Sequence, residues 1–314
     1  DVYKRQMITR LMGGYEALTA GSTMVSETAE GAGGRMGGGW FGLGHPNTFA
    51  ALLLMTMPIW FFAVSHIRHG IRRLVAEVAV VNGFLGILFT YSRAAWFGSV
   101  LGIGLAGMAD RRALSRVILF GFVFAVAAQT VILFTTGMNL VEVVALRFQQ
   151  LESSDFSARP QIFASAMYIV RNHPLLGVGL GAFQSHAPAV PMGWVPTHAH
   201  NAYLAYATEA GIPAAFLFVI LLIRILAMSV RNMKRIARVP GYGFMALGTS
   251  AALIGLSLQG MVEQVFRHRM LGFAFYALVA IVVALDRMIA EGQFDTMKSP
   301  EPSPSTKRSA WIEQ

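Results

Sequence analysis

The chain has 314 residues, 55% of them apolar and only 13% charged, with a formal net charge of +9. Soluble domains carry about 25% charged residues to hydrate their surfaces, so much of this surface must meet a solvent other than water. The Lys and Arg fall in short clusters between apolar runs, which leaves no basic nucleic-acid-binding domain, and the absence of cysteine excludes disulfides, thiolate zinc sites and cysteine nucleophiles.

Asp1–Gln6 reads as the translation of a sequencing-library adapter and is set aside from the fold. On that reading the frame opens inside a gene, and spans preceding residue 7 are missing. Residues 7–45 form a Gly-rich segment expected outside the cytoplasm. A transmembrane helix needs about 20 mostly apolar residues. By that test seven spans are expected: Pro46–Ser65, Leu74–Tyr91, Ala94–Ala109, Ser115–Thr136, Ile212–Val230, Phe244–Phe266 and Met270–Ile289. Pro46 suits a first helical turn, whereas Pro58 should kink its span. The short third span carries Gly98, Gly102, Gly104 and Gly107, a small-residue face suited to close packing. The predicted fold is therefore all-α, a polytopic transmembrane helix bundle of about seven spans with a long periplasmic loop containing an amphipathic helix.

Charge fixes the expected orientation. Arg68, Arg72 and Arg73 follow span one, Arg111, Arg112 and Arg116 follow span three, and Arg231, Lys234, Arg235 and Arg238 follow span five. Arg287, Lys298, Lys307 and Arg308 follow span seven. Every second connection is basic, as cytoplasmic loops should be. Residues 46–136 then hold the first four spans, 137–200 the outer loop, 201–290 the last three spans and 291–314 a Pro-rich disordered cytoplasmic tail. In the outer loop, Ile162, Phe163, Ala166, Met167 and Val170 recur at helical spacing. They predict an amphipathic helix at the membrane surface, with Pro160 at its first position, Arg159 just before it and His173-Pro174 ending it.

Few residues are suited to chemistry. Arg93, between two apolar runs, either snorkels to headgroups or faces a cavity or partner. Arg159, beside an expected helix N-terminus, would suit a phosphate, or is a solvated loop residue; Arg147 has a weaker claim of the same kind. His198, Ala199, His200 and Asn201 lie where the outer loop re-enters the membrane. A neutral imidazole there could take a proton from a hydroxyl, with Asn201 orienting it or the substrate. A His-x-His zinc site lacks a nearby Asp, Glu or Cys to complete its ligands. Glu209 could orient a catalytic group or bond a helix, and Gln259, Glu263 and Gln264 could line the same cavity. Gly177–Gly181 is a turn, since no Gly-Lys-Ser/Thr follows it.

In order along residues 35 to 225, several segments resemble the O-antigen ligase and polymerase superfamily of bacterial inner-membrane glycosyltransferases. They are Arg35-Met36-Gly37, Pro46-Asn47-Thr48-Phe49-Ala50, Tyr91-Ser92-Arg93-Ala94-Ala95, Arg159 through Ala166, His173 through Gly179, and His200-Asn201-Ala202-Tyr203-Leu204 with Glu209 and Gly211. Ala95 and Trp96 stand where small residues are common in the family. The resemblance implies transfer of a glycan from undecaprenyl diphosphate to an acceptor hydroxyl, with no cofactor, metal or nucleotide sugar. The acceptor would be a growing glycan or a lipid A-core. Arg93 and Arg159 would hold the diphosphate and His200 would activate the acceptor. Arg147, His198, Asn201, Tyr203 and Glu209 are the candidate substrate contacts. Two other readings remain open at this point: a transporter of a small anion, and a non-catalytic scaffold of an envelope assembly.

Overall fold

The computed structural model describes residues 46–295, apart from 65–66, 68–69, 91, 111–114, 116, 120, 123–124, 127–128, 131–132, 134–138, 140, 143–144, 146–154, 190–194 and 267–268. Among the described residues every regular element is a helix. In chain order they are α1 (Pro46–Ala63), α2 (Ile71–Phe89), α3 (Arg93–Gly107), α4 (Asp155–Asn172), α5 (Phe183–His186), α6 (Ala202–Ala210), α7 (Ile212–Ile236), α8 (Gly243–Gly260) and α9 (Arg269–Ala290).

Four of these, α1, α7, α8 and α9, are long and apolar enough to cross a membrane. The expected count of about seven is not reached among the described residues. The charges of Arg72, Arg73 and Glu77 interrupt the apolar run of α2, and α3 has only 15 residues, about 22 Å at 1.5 Å per residue against a hydrocarbon core of about 30 Å. Half of Ser115–Thr136 lies outside the described residues, as do the Gly-rich segment and most of the Pro-rich tail. The helix α1 runs unbroken through Pro58.

The helix α8 is the centre of the bundle. Its span is 72% buried, whereas those of α7 and α9 are 17% and 22% buried. Phe216, Leu217 and Leu221 on α7 and Phe273 and Tyr276 on α9 stand exposed on the outside. Apolar side chains facing outward around a packed interior are what a lipid solvent favours. Small residues let α3 lie directly on α8. A Cβ on Gly98 would stand 2.8 Å from the carbonyl oxygen of Gly255, and one on Gly102 would collide with that of Ala251. The expected small-residue face is thus used at Gly98 and Gly102, while Gly104 faces open space. Polar bonds knit the remaining contacts: Ser229 and Ser250 hydroxyls lie 2.7 Å apart between α7 and α8, and Asn232 donates to the Val282 carbonyl of α9 at 2.8 Å.

Register shows which helix ends share a level. Residues 98 and 102 of α3 meet 255 and 251 of α8, so the two run antiparallel; five residues back from Gly98 puts Arg93 level with Gly260. Asn47 at the start of α1 accepts, through its carbonyl, a bond from Gln259 near the end of α8. Met57 and Leu53 of α1 face Gly83 and Gly86 of α2, again antiparallel. One end of the bundle therefore gathers Asn47, the turn at Ser92–Arg93 and the residues just after α8. The other gathers Arg72, Arg73, Arg231, Lys234, Arg235, Arg238 and Arg287, with Arg238 bridged to Asp110 at 3.9 Å.

The helix α4 begins earlier than the apolar spacing implied. It runs from Asp155, so Pro160 is its sixth residue and Arg159 lies inside it rather than before it. Proline at that position gives up one backbone hydrogen bond, to the carbonyl four residues earlier, yet the helix runs through it. The argument from an adjacent helix N-terminus for Arg159 falls with this correction. The buried face is Ile162, Ser165, Ala166, Ile169 and Val170, whereas Phe163 is exposed. It packs with Phe183 of α5 and Ala205 of α6 in a separate small core.

Candidate active site

The site forms at the end of the bundle that carries Asn47 and the turn into α3. Its hub is Glu263, just beyond α8 and nearly buried. One carboxylate oxygen lies 3.7 Å from Arg159 Nη2 of α4, and the other lies 3.5 Å from His200 Nδ1. Asn47 Nδ2 donates to the first oxygen in a short hydrogen bond. Two of the three residues expected to carry the chemistry, Arg159 and His200, are thereby brought onto one carboxylate. The third, Arg93, stands at the same end of the bundle, at the level of Gly260.

Local structure explains how His200 is held. Its φ of 46° is left-handed, a conformation that side-chain-bearing residues adopt at a cost of about 1–3 kcal/mol and keep only where neighbours enforce it. The enforcing neighbour is Asn201, the N-cap of α6. Its Oδ1 accepts from the Leu204 amide at 2.9 Å, and its Nδ2 donates to the Met261 carbonyl at 2.8 Å. One amide side chain thus caps a helix and ties it to the segment that carries Glu263. The His200 Nδ1 atom is buried and has no hydrogen-bond partner, facing Glu263 across 3.5 Å. His198 lies against it, with ring centres 3.9 Å apart and planes tilted by 39°, and its own Nδ1 meets the Thr197 hydroxyl at 2.8 Å.

The remaining expected contacts divide. Tyr203 donates to the Ser257 carbonyl of α8 at 2.9 Å, and burial pushes its phenol up, so it serves as a neutral donor bracing α6. Glu209 ends α6 away from His200. Its carboxylate accepts from the Gly181 amide at 2.9 Å, and its carbonyl accepts from Gly179. Here the Pro-Leu-Leu-Gly turn docks: Gly177 and Gly211 have φ of 63° and 90°, and a Cβ on Gly211 would collide with the Leu175 carbonyl. Glu209 thus anchors that turn. Arg147 lies outside the described residues.

Glu263 is the functional residue that sequence reasoning placed only vaguely, among possible cavity-lining groups. It also supplies the third donor that a His-x-His metal site had lacked: ligand atoms of His198, His200 and Glu263 lie within 4.8 Å of one another. The same carboxylate already engages the Arg159 guanidinium and the Asn47 amide. A metal cation there would sit against that guanidinium and compete with it for the carboxylate.

Residues 78–219 match the family model described as O-antigen ligase. This stretch of the chain is an O-antigen ligase family domain. No curated protein matches the chain. The O-antigen ligase domain runs from α2 into α7 and contains Arg93, Arg159 and His200. Asn47 and Glu263, the groups that join Arg159 to His200, lie on either side of it. The chain is thus a helical protein with four helices able to cross a membrane, and residues 78–219 of it match the O-antigen ligase family.

Proposed function

We propose that the protein transfers a glycan from undecaprenyl diphosphate to an acceptor hydroxyl, on the outer side of the bacterial inner membrane. Sidedness is supported by the basic end of the bundle, with Arg231, Lys234, Arg235 and Arg287, which suits the cytoplasm and leaves the site end outside. The chemistry needs three things: a base for the acceptor, positive charge for the leaving diphosphate, and a site that excludes bulk water. His200 Nε2 takes the acceptor proton while Nδ1 stays toward Glu263. The acceptor oxygen then bonds to the anomeric carbon as the bond from that carbon to the diphosphate oxygen breaks. Its electron pair leaves with the diphosphate, where Arg159 and Arg93 stabilise the developing charge. Asn201 and His198 hold the His200 ring in place for that step.

The observation that carries this reading is the meeting of Arg159 and His200, from separate segments of the family domain, on one carboxylate. The test is glycan transfer in membranes supplied with undecaprenyl-diphosphate-linked glycan and a lipid A-core acceptor. Arg159→Ala and His200→Ala should each lower the rate by about 100-fold or more. Full transfer by both variants would remove the mechanism. A ladder of lengthened glycan, formed without the lipid A-core, would assign a polymerase rather than a ligase.

A further inference from the structure

Glu263 stands where two opposing demands meet. The leaving diphosphate needs Arg159, yet here the guanidinium is paired with a carboxylate at 3.7 Å. The base needs a fixed ring, and that carboxylate lies 3.5 Å from its Nδ1. The carboxylate is fixed independently of both, by the Asn47 amide, whose own backbone is held by Gln259 of α8 at 2.9 Å. The two contacts differ in firmness. The Arg159 side chain is 36% exposed and its contact is long, whereas the His200 Nδ1 atom is buried with Glu263 as its facing group. A dianionic diphosphate is a stronger partner for a half-exposed guanidinium than a single carboxylate at that separation.

From this geometry we infer that Glu263 is a positioning residue that exchanges partners: it parks Arg159 in the empty site, yields it to the donor diphosphate, and keeps His200 aligned throughout. The inference rests on the proposed reading of Arg159 as a diphosphate ligand and His200 as the base. Its consequence is a trade-off. The carboxylate competes with the donor, weakening ground-state binding, while it raises turnover by holding the imidazole. Arg159 is thereby kept solvated on one side and within reach before any donor arrives. Among the described residues, His198 on its own segment and Arg159 from α4 are other charged or titratable groups near His200. Neither is altered by a Glu263→Gln substitution.

The experiment measures binding of undecaprenyl diphosphate in detergent micelles, and transfer kinetics, for the wild type, Glu263→Gln, Arg159→Ala and the double variant. Glu263→Gln should bind the lipid about fivefold tighter, the weight of one partly exposed ion pair, while kcat falls about tenfold. The gain in affinity should vanish when Arg159 is already alanine. Damage to the fold would instead weaken binding and slow turnover together. Glu263→Asp, with the charge kept and the reach shortened, should recover part of kcat and bind between the two. It also decides the question if the glutamine variant does not fold, since unchanged affinity in Glu263→Asp then counts against the exchange. Equal or weaker binding by Glu263→Gln, or a gain that persists without Arg159, would overturn the inference while leaving the transferase reading intact. A wild-type protein that does not bind the lipid, or Arg159→Ala binding as wild type does, would sink both.

Discussion

Replacing Asn201 with alanine removes two hydrogen bonds at once, and the structure says what each is worth. The bond from the Leu204 amide to Oδ1 is a helix N-cap, whose loss costs about 1 kcal/mol. The bond from Nδ2 to the Met261 carbonyl, partly open to solvent, adds about 0.5–1 kcal/mol. Together they come to about 1.5–2 kcal/mol, comparable with the cost of holding His200 at a positive φ. Without them the segment can relax and carry the imidazole away from Glu263. If that energy is lost from the aligned site, transfer should slow by about 10- to 30-fold. Asn201→Ser retains a cap and loses only the tie to Met261, so it should show about half the loss of stability. Thermal unfolding in detergent, read beside transfer rates, separates the two contributions. Asn201→Ala with wild-type melting and wild-type rate would refute the claim that this amide sets the geometry of His200.

Further expectations follow from the packing. Gly102→Val forces a side chain against the Ala251 carbonyl and should destabilise the bundle by about 1–3 kcal/mol in thermal unfolding, while Gly104→Ala, facing open space, should not destabilise it. Glu209→Ala leaves the Gly181 amide without its acceptor and should cost about 1–3 kcal/mol of stability with donor affinity unchanged, as expected of a turn anchor and not of a substrate contact. Tyr203→Phe removes one bond to the Ser257 carbonyl, and should lower stability by about 1 kcal/mol while transfer stays within about twofold of wild type.

What the sequence disclosed depended on the range of the interaction. Spans α1, α7, α8 and α9 are written as continuous apolar runs, a local signal, and their expected starts match the helices to within a residue, although α7 runs on to Ile236 and α8 stops at Gly260. The helix α2 was legible as an element but, with Arg72, Arg73 and Glu77 in its first turns, is not among the four helices apolar enough over their length to cross a membrane. The start of α4 was misplaced because proline was assigned to the first helical position, where it is most favourable, whereas here it stands in the second turn. At the site, Arg159 and His200 stood out by residue type and by resemblance. Glu263 did not, since its partner Asn47 lies 216 positions away and no local pattern records such a contact. Glu209, a carboxylate near a histidine in sequence, is carried to the far end of a short helix, where the glycine turn takes it up.

The most direct measurement is a mass-spectrometric count of both products from purified protein given undecaprenyl-diphosphate-linked glycan and acceptor. The account predicts one molecule of undecaprenyl diphosphate released for each glycosidic bond formed by the wild type, and neither product above background from His200→Ala. Glycan appearing on the acceptor at undiminished rate from His200→Ala, or no bond formed by the wild type with any lipid-linked donor, would contradict it.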